Sequence, residues 1–252
     1  MKDNFWTIRD SIPEYRNLKK EERAVRYSVY DSFFSGAIDE AVMIYHEIYD
    51  SHGQGFKDDC QYQYLGCDIK EGDVVLDLGA NIGIFTNFAA DKGASKIYSF
   101  EPVLENFHMV MMNRPNQCEA HRLAISDKDN ESVNISFLDG SGGGSICDFV
   151  REENKKERNQ TVMTITLDTL IDNGIIESPD FIKMDIEGAE YEAFKGISDS
   201  NLSKVRCIAM EMHENVLGAK RVEEIYLRLQ SLGFSNHTNK YDECYQVWFW
   251  RE

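Results

Sequence analysis

Apolar residues follow two rhythms along this chain. From Asp73 onward, short runs of branched and aromatic residues alternate with longer stretches in which apolar positions recur every three or four residues. The first rhythm predicts strands and the second helices. Strands are expected near 73–78, 95–100, 118–124, 180–185, 204–211, 233–238 and 244–250, and helices near 82–91, 103–112, 187–195 and 218–232. Val74-Val75-Leu76 is apolar without alternation, as in a parallel strand covered on both faces. Ser231-Leu232-Gly233-Phe234 reads as a helix stop followed by a strand start. The polar link 239–243 is short enough for a hairpin, so the last run, Tyr245 to Trp250, is expected to be antiparallel. The class is α/β: a mostly parallel sheet with helices on both faces.

Two regions depart from that alternation. Before the sheet, Glu21 to Phe34 and Ile38 to Tyr49 carry helix-like apolar spacing broken by Ser35-Gly36, so residues 1–50 are read as a helical N-terminal extension and 51–252 as the α/β domain. Inside the domain, Ser132 to Leu138 and Thr161 to Leu167 read as extended segments flanking Gly140-Ser141-Gly142-Gly143-Gly144-Ser145. Such a glycine run is expected to be a mobile loop, either a plain hairpin linker or a lid over the ligand.

The junction of the first strand and first helix carries the chemistry. Asp77-Leu78-Gly79-Ala80-Asn81-Ile82-Gly83 is a glycine turn, and Glu101 ends the next strand. Glycines let a ligand approach the backbone, and an acid at the second strand end suits a ribose diol. The frame at 79, 81 and 84 reads Gly79, Asn81, Ile84, so the dinucleotide pattern is absent, as is the phosphate loop. An acid in the turn, Asp77, opposes phosphate and favours a cation. S-adenosylmethionine, a sulfonium with no phosphate, fits; an NAD-dependent enzyme does not.

Several segments then resemble one family: the turn itself, Phe100-Glu101-Pro102, Ala124-Ile125-Ser126-Asp127, Thr166-Leu167-Asp168, Ile182-Lys183-Met184-Asp185-Ile186-Glu187-Gly188-Ala189-Glu190, and Glu211-Met212-His213. Their order and spacing look like the FkbM family of S-adenosylmethionine-dependent methyltransferases, over roughly residues 65–235. The resemblance implies a Rossmann-like class I methyltransferase fold, with a seven-stranded, mostly parallel sheet whose last strand is antiparallel. It also implies O-methylation of a sugar, glycan or hydroxylated secondary metabolite, and places Ser126 or Asp127 by the adenine.

Composition narrows the partners. With 27 Lys and Arg against 44 Asp and Glu, the net charge is −17, which disfavours a general nucleic-acid surface. The basic stretch Arg151 to Arg158 is interleaved with Glu152, Glu153 and Glu157 and reads as a solvated face. No apolar run is long enough for a membrane span, and the start of the chain lacks a secretion signal. Six cysteines without C-x-x-C spacing suggest free thiols in a reducing cytoplasm, with Cys207 as plain core. The oligomeric state is open.

Ligands of such sheets bind beyond the carboxyl ends of the strands. Those ends bring together Asp77 through Asn81 (with Gly79 and Ala80), Gly83, Glu101, Ser126, Asp127, Asp185, Glu211 and His213. Asp77 and Gly79 are expected along the methionine and sulfonium and Glu101 at the ribose hydroxyls, with Phe85 and Asn106 as further cofactor contacts and Asp185 between cofactor and acceptor. An alcohol needs a base or a metal to become a nucleophile. His213, with an ordinary pKa of about 6.5, is the expected base, oriented by Glu211. Alternatively Asp185, Glu211 and His213 hold a divalent metal, which is not the favoured version. His46 and His52 lie in the N-terminal region, within potential reach of the acceptor pocket; His108, His121 and His237 read as structural. Two rival functions stay open. One is an RNA ribose methyltransferase, for which Lys183 and Asp185 are present but read as facing opposite sides of their strand. The other is a non-catalytic cofactor-binding scaffold.

Overall fold

The computed structural model describes residues 5–7, 26–28, 60–138, 144–145, 157–240 and 244–251. Near the N-terminus, β1 (Phe5–Thr7) pairs antiparallel with β2 (Arg26–Ser28), and β2 lies against a later helix, Leu104–Asn113. A helix over 21–34 is therefore overturned at 26–28, whose backbone pairs with that of 5–7. The remainder of that extension lies outside the described residues.

The central sheet contains β3 (Val74–Leu78), β4 (Lys96–Phe100), β5 (Cys118–His121), β10 (Phe181–Met184), β11 (Cys207–Met212), β12 (Ser235–Lys240) and β13 (Tyr245–Trp250). Their spatial order is β12-β13-β11-β10-β3-β4-β5. Every neighbouring pair from β11 to β5 is parallel, and β13 alone runs against its two neighbours, as its hairpin with β12 demands. The order reverses between β3 and β10, which puts a crevice at their carboxyl ends.

Strand alternation sorts side chains to two cores. Leu76, Leu78, Ile182, Met184 and Met210 face α3 (Leu167–Asp172), α4 (Glu190–Lys195) and α7 (Ala219–Ser231), contacting Leu167, Phe194 and Leu229. Val75, Ile97, Phe181 and Ala209 face the other way, onto Tyr62, Phe85 and Phe88, the last two from α1 (Ile84–Asp91). Helix α2 (Leu104–Asn113) contributes Met109 to that second core. The short helices α5 (Asp199–Leu202) and α6 (Glu214–Leu217) finish the connections.

The strand expected over 118–124 divides. Arg122 donates to the Pro102 and Thr161 carbonyls and to Gln160, and this turns the chain out of the sheet. Beyond it β6 (Ala124–Ile125) joins a second sheet with β7 (Ser132–Leu138), β8 (Gly144–Ser145) and β9 (Glu157–Ile165), in the order β6-β9-β7-β8. The extended segments thus pair as an antiparallel hairpin, and Gly144 and Ser145 add a strand to β7 where a loop was expected. Residues 139–143 lie outside the described set. Among the described residues no helix is long and apolar enough to cross a membrane.

Candidate active site

The turn after β3 is built from backbone geometry. Gly79 has φ +75°, and a Cβ there would overlap the carbonyl oxygen of Asp185 on the neighbouring strand end. The N–H groups of Gly79 and Ala80 both donate to the Phe100 carbonyl, 3.0 Å away, which ties the turn to β4. Asn81, at φ +51°, aims its N–H at Glu101 Oε2, 2.7 Å away. Gly83 caps α1 in the left-handed region and packs on Val110.

Asp77 does not line the cleft. It is 0% exposed, accepts from Thr86 Oγ1 at 2.6 Å, and lies 3.6 Å from Lys183 Nζ. Burial pushes its carboxyl up against the opposing pull of Lys183. It anchors the turn from below, so its expected place beside a sulfonium is corrected: side chains on the last residues of a central strand point into the sheet's packing layers, not past its end.

A cleft open to solvent runs along the strand ends. Phe100, Glu101 and Pro102 line it where β4 ends, with Leu123 to Ile125, and Asp185 and Glu187 line it where β10 ends, on the other side of β3. Glu101 is held by the N–H groups of Asn81 and Val103, at 2.7 and 2.9 Å. Its burial outweighs those bonds and pushes its pKa up to about 8. Ser126 and Asp127 follow directly on this wall but are not part of its lining: the Ser126 N–H donates to the Ile165 carbonyl, and Asp127 pairs with Lys195. Leu123, Ala124 and Ile125, just before them, do line it. Phe85 is core, edge-on to Tyr62, and Asn106 sits on α2 outside the cleft lining.

At the acid end, Asp185 Oδ2 accepts from the Tyr62 hydroxyl at 2.9 Å and lies 3.7 Å from Lys183 Nζ. The helix expected from 187 begins at Glu190, because Glu187 (φ +53°) and Gly188 (φ +97°) form a left-handed turn first. That turn brings Glu187 to the cleft. His213 Nδ1 is 2.9 Å from Glu190 Oε1 and its Nε2 is 3.5 Å from Glu187 Oε2. The partner that orients His213 is thus Glu190, a fully buried carboxylate, and the expected Glu211 instead accepts from the Cys244 thiol at 2.9 Å. Burial opposes charge on His213, but Glu190, Asp185 and Glu187 outweigh it and push its pKa up to about 10. Burial and the Asp185 charge raise Glu187 to about 7, and burial also raises Glu211. The surrounding carboxylates thus favour the charged imidazole over the neutral one that a direct base needs.

The FkbM methyltransferase domain model matches residues 77–235, from the acid of the turn to the start of β12. The chain belongs to this family. Among relatives, the hexuronic acid methyltransferase AglP of Haloferax volcanii is 27% identical over 153 residues, 59% of each chain. The 31-O-demethyl-FK506 methyltransferase FkbM of Streptomyces tacrolimicus is 26% identical over 226 residues, 78% of this chain and 82% of that one. A solved methyltransferase FkbM from Methylobacillus flagellatus shares the fold with a TM-score of 0.50 and 16% identity, covering 82% of this chain and 48% of that chain. The chain thus matches little more than half of AglP and about half of the solved structure.

Within this FkbM-family fold, Glu187, Glu190, Lys183 and Tyr62 are the site residues that spacing alone passed over. Glu187 and Glu190 were legible as part of the Asp185 to Glu190 motif, but a helix start there would have turned them outward. Lys183 and Asp185 do not face opposite sides: residues two apart on a strand share a face, and their charged groups lie 3.7 Å apart. Lys183 is only 4% exposed and donates to the Gly79 carbonyl at 2.6 Å, so it braces the turn from beneath. Thr166 and Asp168 are structural: Thr166 caps α3, and Asp168 accepts from Ser198 and Asn201.

Proposed function

We propose that the chain transfers a methyl group from S-adenosylmethionine to a hydroxyl oxygen of a sugar or a hydroxylated small molecule. One observation carries this reading: a single cleft with a buried carboxylate and apolar walls at one end and two carboxylates at the other. Glu101, with room between Phe100 and Leu123 to Ile125, suits a ribose diol and a flat purine. Asp185 and Glu187 suit the sulfonium and an acceptor oxygen beyond it. Family membership supports the donor, and the names of the AglP and FkbM relatives support the acceptor class.

The reaction is an in-line displacement whose main demand is alignment. The acceptor oxygen forms a bond to the methyl carbon while the carbon–sulfur bond breaks. The electron pair stays on sulfur, giving neutral S-adenosylhomocysteine. The acceptor's proton leaves toward the Asp185 and Glu187 carboxylates, with Glu190 and His213 backing Glu187. An RNA acceptor is not favoured: Lys183 is buried under the turn, and the chain carries a net charge of −17.

Calorimetric titration should show S-adenosylmethionine binding at micromolar affinity, lost in Glu101→Ala. Incubation with hexuronic acids and macrolide alcohols, read by mass spectrometry, should yield S-adenosylhomocysteine and a product heavier by one methylene. Absence of cofactor binding by the unaltered chain overturns the reading; binding without turnover on any acceptor returns the scaffold alternative.

A further inference from the structure

The acid end of the cleft holds a donor set that alignment of a methyl group does not itself require. Asp185, Glu187 and His213 each offer one ligand atom, and these atoms lie within 4.8 Å of one another. An ion with ordinary ligand distances, about 2.0–2.5 Å, can touch all three. His213 is already set as a ligand. With Nδ1 held at Glu190, Nε2 is the nitrogen left to face Glu187, and an ion bound there would displace its proton. A carboxylate behind an imidazole is the usual outer partner of a metal-bound histidine.

A separate observation points the same way. Glu190 is 0% exposed, and its Oε2 is buried with no hydrogen-bond partner. Its Oε1 accepts the Gly188 N–H and faces His213, so the charge that balances this buried carboxylate comes through His213, as an imidazolium or as an imidazole on a cation. Lys183 does not fill that place: its Nζ donates to the Gly79 carbonyl and stands between Asp77 and Asp185. Glu211 adds a further negative group in the neighbourhood.

We propose that Asp185, Glu187 and His213 bind one divalent cation of the magnesium or manganese class, with Glu190 orienting His213. Two carboxylates and one imidazole suit such an ion, and its remaining positions go to water and the acceptor hydroxyl. The purpose of the ion rests on the methyl-transfer reading above. An alcohol oxygen held there would ionise more readily; with Asp185 and Glu187 engaged by the ion, its proton would pass to water in place of the direct transfer to those carboxylates, and the oxygen would then take the methyl carbon from sulfur.

The test uses the full chain, stripped with a chelator, and Mn²⁺ alone as the probe. Electron paramagnetic resonance of free Mn²⁺ should report one ion bound per chain. Affinity should fall about tenfold or more in Glu187→Gln and His213→Gln, and about 10–100-fold in Glu190→Gln. Thermal unfolding of each variant guards against misfolding, and Asp185→Asn serves as a second ligand variant where one fails to fold. No saturable binding below about 1 mM, or binding that none of the substitutions weakens, overturns the site and marks the diffuse pull of an acidic surface. S-adenosylmethionine affinity, measured on the same metal-free protein, keeps the two proposals apart. Cofactor binding without Mn²⁺ binding removes the ion alone, and Mn²⁺ binding without cofactor binding removes the methyl-transfer reading alone.

Discussion

At Gly79 the backbone sits at φ +75°, and a side chain would overlap the Asp185 carbonyl. Gly79→Ala should therefore cost about 3 kcal/mol or more from left-handed strain plus overpacking, read as a lower urea midpoint, and should abolish cofactor binding. The signal in the sequence was correct, but its reason was different: the glycine is needed for two strand ends to meet, and only through that for a ligand. Glu101 carries a second residue-scale prediction. Its carboxyl is pushed up to about 8 by burial. Ribose hydroxyls donate to the ionised form, so the complex holds Glu101 at a lower pKa and binding releases a proton. Cofactor affinity should then rise with pH up to about 8 and flatten above it, with a slope approaching tenfold per pH unit. Calorimetry in buffers of different ionisation heat measures the released proton; a pH-independent affinity between 6 and 8 contradicts the assignment. The same shift acts oppositely on the ligand-free fold. The native state holds more protons than the unfolded one between about 4.5 and 8, so that contribution to stability is present at low pH and declines as pH rises.

At the scale of elements, the β10 strand and the turn after it unite fold and site. Lys183 reaches under the glycine turn to Gly79 and Asp77, while Asp185, two residues on, faces the cleft. Lys183→Met leaves the fully buried Asp77 without its counter-charge, which should cost about 3–5 kcal/mol. Adding Asp77→Asn should recover part of that loss; a double variant no more stable than Lys183→Met alone would show that the pairing is not the cause. The two-sided burial of β3 and the antiparallel last strand were readable, because a continuous apolar run and a short polar link leave few alternatives. The Glu187–Gly188 turn was not readable, because left-handed backbone at a non-glycine residue is set by packing: a Cβ on Gly188 would press on Val216 of α6. Neither was the break at Arg122, whose partners Gln160 and Thr161 lie almost forty residues away in sequence. For the same reason Glu190, not Glu211, stands behind His213: the spacing of residues along β11 says nothing about which side chain of α4 reaches across to it.

Across the whole molecule, charge and ligand act on one sheet. A net charge of −17 repels itself in the compact state, and four of the acids, Asp185, Glu187, Glu190 and Glu211, gather around one strand end. The Asn81–Glu101 bond and the Lys183–Gly79 bond connect both ends of the cleft to β3, β4 and β10, the middle of the sheet. A ligand spanning the cleft therefore stabilises the cooperative core and not a peripheral loop. At a cofactor concentration one hundred times Kd, binding to the native state adds about 2.7 kcal/mol. For a domain of this size each kcal/mol shifts Tm by about 2–4 °C, so the transition should rise by about 5–10 °C as a single step. S-adenosylhomocysteine should give a comparable rise, because it keeps the adenosine and differs only in the methyl and its charge. Differential scanning calorimetry decides the point. A shift confined to a separate, earlier transition would place the ligand away from the β3–β4–β10 strand ends, and an equal shift in Glu101→Ala would remove Glu101 from its binding.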